Sequence, residues 1–372
     1  MVALAVHLRE IGHRATLCAP PGFDDVIGGH GLSYVTVGHD LRQGPKKVAG
    51  GAAGTVAAQF EILREAADGC DAVVGCAAMQ IAARSIAEKL GIPYLYAAYA
   101  PVGLPSSELS PPPVYGPPRP KGVDTAAKWE ADAQWWNETW RDGLNAQRAA
   151  IGLAPVPDVR GHVITDRPML AADPTLAPWP STPELAVVQT GAWLMPDLRP
   201  LSADLEAFLD AGAPPVLFGF GSILRPRASG ATMLAAARAV GHRAIVLRGW
   251  AGIGADDDGH DWLSVGETNL QALLPRVVAV VHHGGSGTTL QAMQAGTPQV
   301  IVAHHYDQPY YAERVTALGI GTTPASQEPS AQSLAEALDH VLGATVRARA
   351  QELAPAVRTD GTAVAAAHLL GR

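Results

Sequence analysis

Short apolar runs alternate along the chain with segments whose apolar residues recur at helical spacing. In the first half this pattern predicts helices at 2–11, 24–29, 61–67, 77–90 and 125–151, and strands at 14–19, 32–37, 72–75 and 92–99. Strands that alternate with helices in this way form a parallel sheet with helices on both faces. The first half is therefore predicted to be an α/β unit.

The alternation restarts after a Pro-containing segment, MPDLRP, which is predicted to be an interdomain linker. Helices are predicted at 203–210, 230–240, 288–295, 310–318 and 333–342, and strands at 216–220, 243–247, 277–281 and 299–302. The fold class expected from both halves is α/β, with two Rossmann-like, doubly wound parallel-sheet domains facing a cleft.

The pattern begins with a helix, whereas the first strand of a doubly wound sheet is usually central and is followed by a turn that lines the ligand crevice. Removing a central strand leaves the backbone groups of its neighbours unpaired. We therefore expect a strand and its loop, about 15–20 residues, to be missing ahead of Met1. A small domain that starts with a helix is the alternative.

The composition narrows the class of protein. With 48% hydrophobic and 17% charged residues the chain can form large cores, and its net charge of −8 argues against a nucleic-acid partner. Three cysteines without metal-ligand spacing predict neither a disulfide framework nor a zinc site. The chain shows no membrane-length apolar run and no signal peptide, so we expect no membrane association and a cytoplasmic location.

A Pro-rich segment at 101–120, which contains Tyr115, is predicted to be a loop, because so many prolines exclude a helix or a central strand. The helix that follows carries Trp129, Trp136 and Trp140 at positions i, i+7 and i+11. These tryptophans fit either the core of the domain or the wall of a site for a bulky aromatic ligand.

The strongest chemical signal is the segment HHGGSGTT, which joins the apolar strand at 277–281 to a helix. Its glycines allow a ligand to approach the backbone, and the helix start offers free N–H groups and the positive end of a dipole. Such a site suits a diphosphate, although a tight strand–helix turn would also need glycine. Adjacent residues of a strand point to opposite faces, so we choose His283, which is nearer the turn than His282, as the donor.

Two further segments follow strands at the same sheet edge, where ligands bind in open sheets. In the segment HHYDQP, Asp307 and Gln308 together could bind vicinal hydroxyl groups. A solvated loop in which Asp307 caps a helix, or a metal site formed with His304 and His305, are the alternatives. The segment FGFGS would place Ser222 in the same crevice.

The segments HHGGSGTTLQAMQAGTPQ and DQPYYAERVTALGIG resemble the donor-site signature of family 1 glycosyltransferases with the GT-B fold. Together with AEKLGIPYLYA, VGETNLQALL and RTDGTAVAA, they are similar to the glycosyltransferases of vancomycin- and teicoplanin-type glycopeptide antibiotics. The resemblance implies an acceptor domain at 1–194, a linker at 195–202 and a nucleotide-sugar domain at 203–355. It further implies a C-terminal helix within 356–372 that crosses back to the first domain.

The resemblance also implies roles for individual residues, with His283 and Asp307 as the catalytic pair. The diphosphate would bind to Ser222, His283, Gly285, Ser286, Gly287 and Thr288. The nucleoside would contact Arg248, Trp250, Val265, Gly266 and Gln291, and the sugar Asp307 and Gln308. The acceptor would contact Tyr115, Trp129 and Trp136.

The implied reaction is an inverting, metal-independent transfer of a hexose from a UDP- or TDP-sugar to a hydroxyl of an aromatic glycopeptide aglycone. No cofactor is expected beside the donor, and a monomer is expected. In the resembling family the general base is an Asp on a GSRGD-like turn, which here would precede Met1. A nucleotide-sugar epimerase with the GT-B fold and a non-catalytic nucleotide-sugar-binding relative are the alternatives.

Overall fold

The computed structural model describes residues 1–44, 48–76, 80–112, 122–180, 182–255, 257 and 259–371. The chain divides into two compact units. Unit 1 comprises Met1–Pro174, Pro178–Leu194 and Thr359–Arg372, and unit 2 comprises Thr175–Ala177 and Met195–Arg358. The predicted assignment of acceptor binding to the first domain and donor binding to the second stays a prediction.

Unit 1 contains two parallel sheets. One has two strands, β1 (Thr16–Ala19) and β2 (Ser33–Thr36); the other has four, in the order β3 (Val73–Cys76), β4 (Tyr94–Ala98), β5 (Met169–Leu170) and β6 (Val188–Gln189). The helices before, between and after these strands are α1 (Val2–Glu10), α2 (Asp24–Gly28), α3 (Gly51–Ala66), α4 (Ala83–Leu90), α5 (Thr125–Ala150) and α6 (Val159–Ile164).

Unit 2 is built on one parallel sheet of six strands. These are β7 (Val216–Gly219), β8 (Ala244–Leu247), β9 (Trp262–Val265), β10 (Ala279–His282), β11 (Gln299–Ile301) and β12 (Gly321–Thr322). Its helices are α7 (Ala203–Asp210), α8 (Gly230–Ala239), α9 (Leu270–Leu273), α10 (Ser286–Gln294), α11 (Gln308–Ala317), α12 (Ala331–Leu342) and α13 (Ala344–Leu353). The last helix, α14 (Gly361–Leu369), belongs to unit 1 and packs on α1.

The strand order in the second sheet is β12-β11-β10-β7-β8-β9. The chain therefore moves outward from β7 in one direction and then returns to the other side of β7 to form β10. The carboxyl ends of β7 and β10 flank this topological switch point, which is where open α/β sheets bind ligands. The turns after these two strands are the segments FGFGS and HHGGSGTT.

Both faces of this sheet are buried, as a doubly wound fold requires. Along β7, Phe218 packs into the hydrophobic cluster that contains Met233 and Leu338, and Leu217 packs into the opposite cluster with Leu205 and Leu273. A strand that is covered on both sides has a continuous run of apolar residues rather than alternating apolar and polar residues. For this reason the apolar runs of the sequence predicted the positions of the central strands.

In unit 1, a buried polar network ties α4, α5 and α6 together. The guanidinium of Arg148, 3% exposed, donates to Glu88 from Nη1 at 2.7 Å and from Nη2 at 3.2 Å, and Nη1 also donates to the Ser85 hydroxyl at 2.9 Å. Ser85 Oγ lies 3.1 Å from Nε2 of His162. With Arg148 donating to Ser85 Oγ, the Ser85 hydroxyl proton is available to Nε2 of a neutral His162 ring.

The stability of unit 1 is expected to fall in mild acid because of His162. Burial, with nearby Arg84 and Arg148, lowers the pKa of His162 from 6.5 to about 4. Since the unfolded chain takes up this proton at a higher pH than the folded chain, stability is lost as the pH falls from about 6.5 to about 4, by about 3 kcal/mol. Urea denaturation followed by tryptophan fluorescence across this range measures the loss.

The control for this pH effect is His162→Gln, which keeps an acceptor for Ser85 but does not titrate. The variant should have a flatter dependence of stability on pH than the wild type between pH 4 and 6.5. Equal slopes for the two proteins would show that His162 is not the group responsible.

No helix among the described residues has the length and apolar character needed to span a bilayer.

Candidate active site

The glycine-rich turn between β10 and α10 forms an open helix N-terminus. Gly284 has φ +86°, and a Cβ atom there would lie 2.6 Å from a methyl group of Ile301, so the left-handed turn needs glycine. Gly285 is the N-cap residue, so the N-cap position itself supplies no side-chain acceptor. Backbone N–H groups in the first turn of α10 are therefore available to an anion.

The first histidine of the turn, His282, is fully buried at the end of β10. Its Nδ1 accepts the N–H of Gly284 at 3.1 Å, so its Nε2 carries the proton and donates to Oε1 of Gln299 at 2.9 Å. Burial, with the neighbouring His283, lowers the pKa of His282 to about 3. The ring is therefore neutral at physiological pH and faces the protein interior.

The second histidine, His283, is half-buried and lies against the turn after β7. A Cβ atom at Gly221 would be 3.3 Å from its Cε1, and one at Gly285 would be 2.5 Å from its Nε2. Among the described residues no hydrogen-bond partner of good geometry faces its buried Nδ1, although the Gly219 carbonyl is close enough to favour a protonated ring. The other ring nitrogen, Nε2, lies on the side of Gly285, next to the N-terminus of α10.

The surroundings of His283 favour a neutral ring at physiological pH. Burial, followed by the charges of His304 and His305, lowers the pKa of His283 from 6.5 to about 4. At pH 7 the ring would act on an anion as an N–H donor rather than as a cation.

Asp307 faces the same helix N-terminus from the loop after β11. Burial raises the pKa of its carboxyl to about 6, and the N–H groups of Asp307 itself and of Ser286, which donate to it, offset part of the rise. Ser286 N–H, expected to bind diphosphate, is thus already directed at a carboxylate. The N–H groups of Gly287 and Thr288 are the next donors along the helix.

Gln308, expected to bind the sugar, has a structural use as well. It is 5% exposed, and its Oε1 accepts the backbone N–H groups of His304 at 2.8 Å and His305 at 3.2 Å. This oxygen fixes the loop after β11, which leaves the amide Nε2 as the group that could reach a hydroxyl.

The loop histidine His304 is committed to the protein through both ring nitrogens. Its Nδ1 donates to the Val302 carbonyl at 2.8 Å, and its Nε2 accepts the N–H of Arg227 at 3.0 Å. Across the described residues, His, Cys, Asp and Glu side chains form no cluster of three with metal-binding geometry. The metal alternative for His304, His305 and Asp307 has no support in this arrangement.

The predicted nucleoside residues lie at the carboxyl ends of β8 and β9 and, for Gln291, in α10, and the diphosphate candidate Ser222 follows β7. Ser222, Arg248 and Trp250 are exposed, and the N–H of Trp250 donates to the Gly221 carbonyl at 2.9 Å, which ties the turn after β8 to the turn after β7. Arg248 Nη1 donates to the Ser264 carbonyl at 3.2 Å. Val265, Gly266 and Gln291 are half-buried.

The predicted acceptor residues do not form a surface. Trp129 and Trp136 are 7% and 6% exposed and lie in the interior of unit 1. This agrees with the alternative in which the tryptophans of this helix belong to the core of the domain. Trp129 Nε1 donates to the Leu109 carbonyl at 2.7 Å, so the indole anchors the Pro-rich loop rather than lining a wall. Tyr115 lies outside the described residues.

Comparison with known proteins is consistent with a donor site at the N-terminus of α10. Residues 262–367 match the family model for the C-terminal domain of erythromycin biosynthesis protein CIII-like proteins. Over 98% of the chain and 92% of the relative, the sequence is 46% identical to glycosyltransferase GtfE of Amycolatopsis orientalis. The chain belongs to this family of glycopeptide-antibiotic glycosyltransferases.

Two further relatives of this glycosyltransferase, both from Amycolatopsis orientalis, differ in the sugar that their names specify. Vancomycin aglycone glucosyltransferase is 44% identical over 100% of the chain and 93% of the relative. The dTDP-epi-vancosaminyltransferase is also 44% identical, over 94% of the chain and 88% of the relative.

Solved structures establish the GT-B fold of the glycosyltransferase. The glycotransferase of kitacinnamycin superimposes with a TM-score of 0.72 at 18% identity, over 100% of this chain and 94% of that one. Glycosyltransferase VinC, solved in complex with dTDP, has a TM-score of 0.66 at 20% identity, over 100% of this chain and 95% of that one. The predicted α/β class and GT-B fold are confirmed.

Proposed function

We propose that this glycosyltransferase transfers a hexose from a nucleotide-diphosphate sugar to a hydroxyl group of a glycopeptide aglycone, with inversion at the anomeric carbon. The observation that carries the donor site is the N-terminus of α10 at the switch point between β7 and β10, where the N–H groups of Gly287 and Thr288 have no acceptor among the described residues. The names of the relatives support the aglycone and the sugar, since one is a vancomycin aglycone glucosyltransferase.

The chemistry follows from where negative charge develops. When an acceptor hydroxyl attacks the anomeric carbon, the departing nucleotide diphosphate gains negative charge. Preorganised donors at that position lower the barrier. We assign this role to the N–H groups of Gly287 and Thr288 and to the neutral ring of His283, beside the positive end of the helix dipole.

The sugar would lie beside the loop after β11. The Asp307 carboxyl and the Gln308 amide nitrogen can bind adjacent hydroxyl groups. A hexose with adjacent free hydroxyl groups, as in UDP-glucose or UDP-N-acetylglucosamine, uses both groups, and we propose such a donor. A TDP-linked deoxyaminosugar is the competing donor, since one relative is a dTDP-epi-vancosaminyltransferase.

The proposal is tested by incubating the chain and a glycopeptide aglycone with UDP- and TDP-sugars and measuring product mass. Gain of one sugar residue by the aglycone is the expected result, and the donor that gives it identifies the nucleotide. Conversion of the UDP-sugar without an aglycone would indicate an epimerase instead. Nucleotide binding without any product would indicate a non-catalytic relative.

Gly287→Ala is expected to weaken donor binding about tenfold without weakening the fold. A Cβ atom at position 287 would meet no protein atom within 4 Å apart from the helix's own backbone, so the glycine is not needed for packing. The added methyl group would fill space that the diphosphate needs, while alanine favours the helix by about 0.5–1 kcal/mol. Calorimetric titration with UDP and TDP measures the affinity, and thermal denaturation measures the stability.

Gly28→Ala serves as the matched control for Gly287→Ala. Gly28 ends α2 in unit 1, and a Cβ atom there also meets nothing within 4 Å. This variant should bind nucleotide as the wild type does. Unchanged nucleotide affinity in Gly287→Ala would place the diphosphate elsewhere.

A further inference from the structure

A closed ring of hydrogen bonds lies behind the glycine-rich turn. Nδ1 of His282 accepts the Gly284 N–H at 3.1 Å, and Nε2 of His282 donates to Gln299 at 2.9 Å. Nε2 of Gln299 then donates to the Thr289 carbonyl in α10 at 3.2 Å, and the Thr289 hydroxyl donates to the Gly285 carbonyl at 2.9 Å. The ring connects β10, β11, the turn and the first helical turn of α10.

This ring decides which backbone donors of the turn point outward. It engages the Gly284 N–H inside the protein, and the Gly285 carbonyl accepts both the hydroxyl and the N–H of Thr289. The N–H groups of Gly287 and Thr288 have no acceptor in the described part of the chain. The donors that remain for a ligand are therefore set by how Gly284 and Gly285 are held.

Only one protonation state of His282 can complete the ring. Nδ1 accepts a hydrogen bond only in the Nε2–H tautomer. Gln299 selects this tautomer because its Oε1 faces Nε2 while its amide nitrogen donates to the Thr289 carbonyl. A protonated imidazole would present two donors and would repel the Gly284 N–H. The complete burial of His282 keeps its imidazole neutral.

We propose that His282 is a positioning residue of the donor site: its Nδ1 fixes the Gly284 N–H and thereby aims the first N–H groups of α10 at the nucleotide diphosphate. The inference rests on the proposed function and extends it to a residue that touches no ligand. His282 acts through Gly284, Gln299 acts through the tautomer of His282, and both are buried behind the turn.

Two variants of His282 separate positioning from packing. Asn places its Oδ1 where the histidine has Nδ1, so His282→Asn keeps the acceptor for Gly284 and loses the link to Gln299. Gln places its amide nitrogen near the position of Nε2, so His282→Gln keeps a donor to Gln299 and loses the acceptor for Gly284. Both replace a buried ring by a side-chain amide and cost comparable packing.

The readout is the affinity for UDP and TDP by calorimetry, together with urea denaturation of each folded variant. We expect His282→Asn to bind within about threefold of the wild type and His282→Gln about tenfold more weakly, because only the second leaves a buried N–H without an acceptor. The difference in affinity should exceed any difference in stability between the two variants.

Equal affinities for the two variants, or weaker binding by His282→Asn than by His282→Gln, would overturn the inference. If His282→Gln does not fold, Gln299→Met replaces it: loss of the tautomer-selecting oxygen should weaken nucleotide binding several-fold, and wild-type affinity would overturn the inference. A wild-type chain that binds neither nucleotide would instead refute the proposed function, and the inference with it.

Discussion

His283→Ala is expected to lower kcat/KM for sugar transfer by about 30- to 1000-fold, which corresponds to about 2–4 kcal/mol of transition-state stabilisation. The imidazole lies beside the start of α10, with its Nε2 on the side of Gly285. A donor aimed at a departing diphosphate contributes most when the negative charge develops. The loss should therefore appear mainly in kcat rather than in the affinity for the nucleotide sugar.

The control for His283→Ala is His305→Ala. His305 is exposed in the loop after β11, and partial desolvation and the charge of Arg227 lower its pKa, so its ring is also neutral at pH 7. Removing it should change kcat/KM by less than about twofold, as exposed substitutions usually do. An effect of His283→Ala below a few tenths of a kcal/mol would remove this histidine from the site.

The choice between the two histidines could be made from the sequence. Adjacent residues of a strand face opposite sides, and the structure has His282 fully buried and His283 half-buried against the turn. The sequence could not predict the structural role of the buried imidazole of His282. That role depends on Gln299, which lies on the neighbouring strand and reaches His282 only through the sheet register.

Other features of the site depend on tertiary contacts that cannot be predicted from the local sequence pattern. The side chain of Gln308 fits both a sugar ligand and a backbone acceptor, and the structure shows that its oxygen caps the N–H groups of His304 and His305. The tryptophan spacing in α5 fits both a core and a ligand wall, and the burial of Trp129 and Trp136 decides for the core.

The central strands of unit 2 were predicted well because apolar runs mark strands that are buried on both faces. Shorter or less apolar elements were missed, and these include β5, β6, β9, β12, α6, α9 and α13. Helix α3 begins at Gly51 rather than near Glu61, because its first turn, GAAG, is poor in large apolar residues and gives no helical period. Such segments are specified by tertiary packing rather than by local propensity.

Arg148→Ala is expected to lower the free energy of unfolding of unit 1 by about 3 kcal/mol. The side chain is 3% exposed, donates twice to Glu88 and once to Ser85, and its Nε donates to the Ala154 carbonyl at 2.7 Å. Alanine would leave this carbonyl without its guanidinium donor and would open a cavity between α4 and α5. Glu88 is 45% exposed, so water can solvate its carboxylate and limits the loss from the broken ion pair.

Urea denaturation followed by intrinsic fluorescence suits this prediction, because six of the eight tryptophans lie in unit 1. Arg141→Ala is the matched control: the residue lies on the same helix, α5, but is exposed, and its removal should cost less than about 0.5 kcal/mol. If both variants unfold at the same urea concentration as the wild type, the buried network does not stabilise unit 1. If only Arg148→Ala is destabilised, the guanidinium links α4 to α5 as the distances indicate.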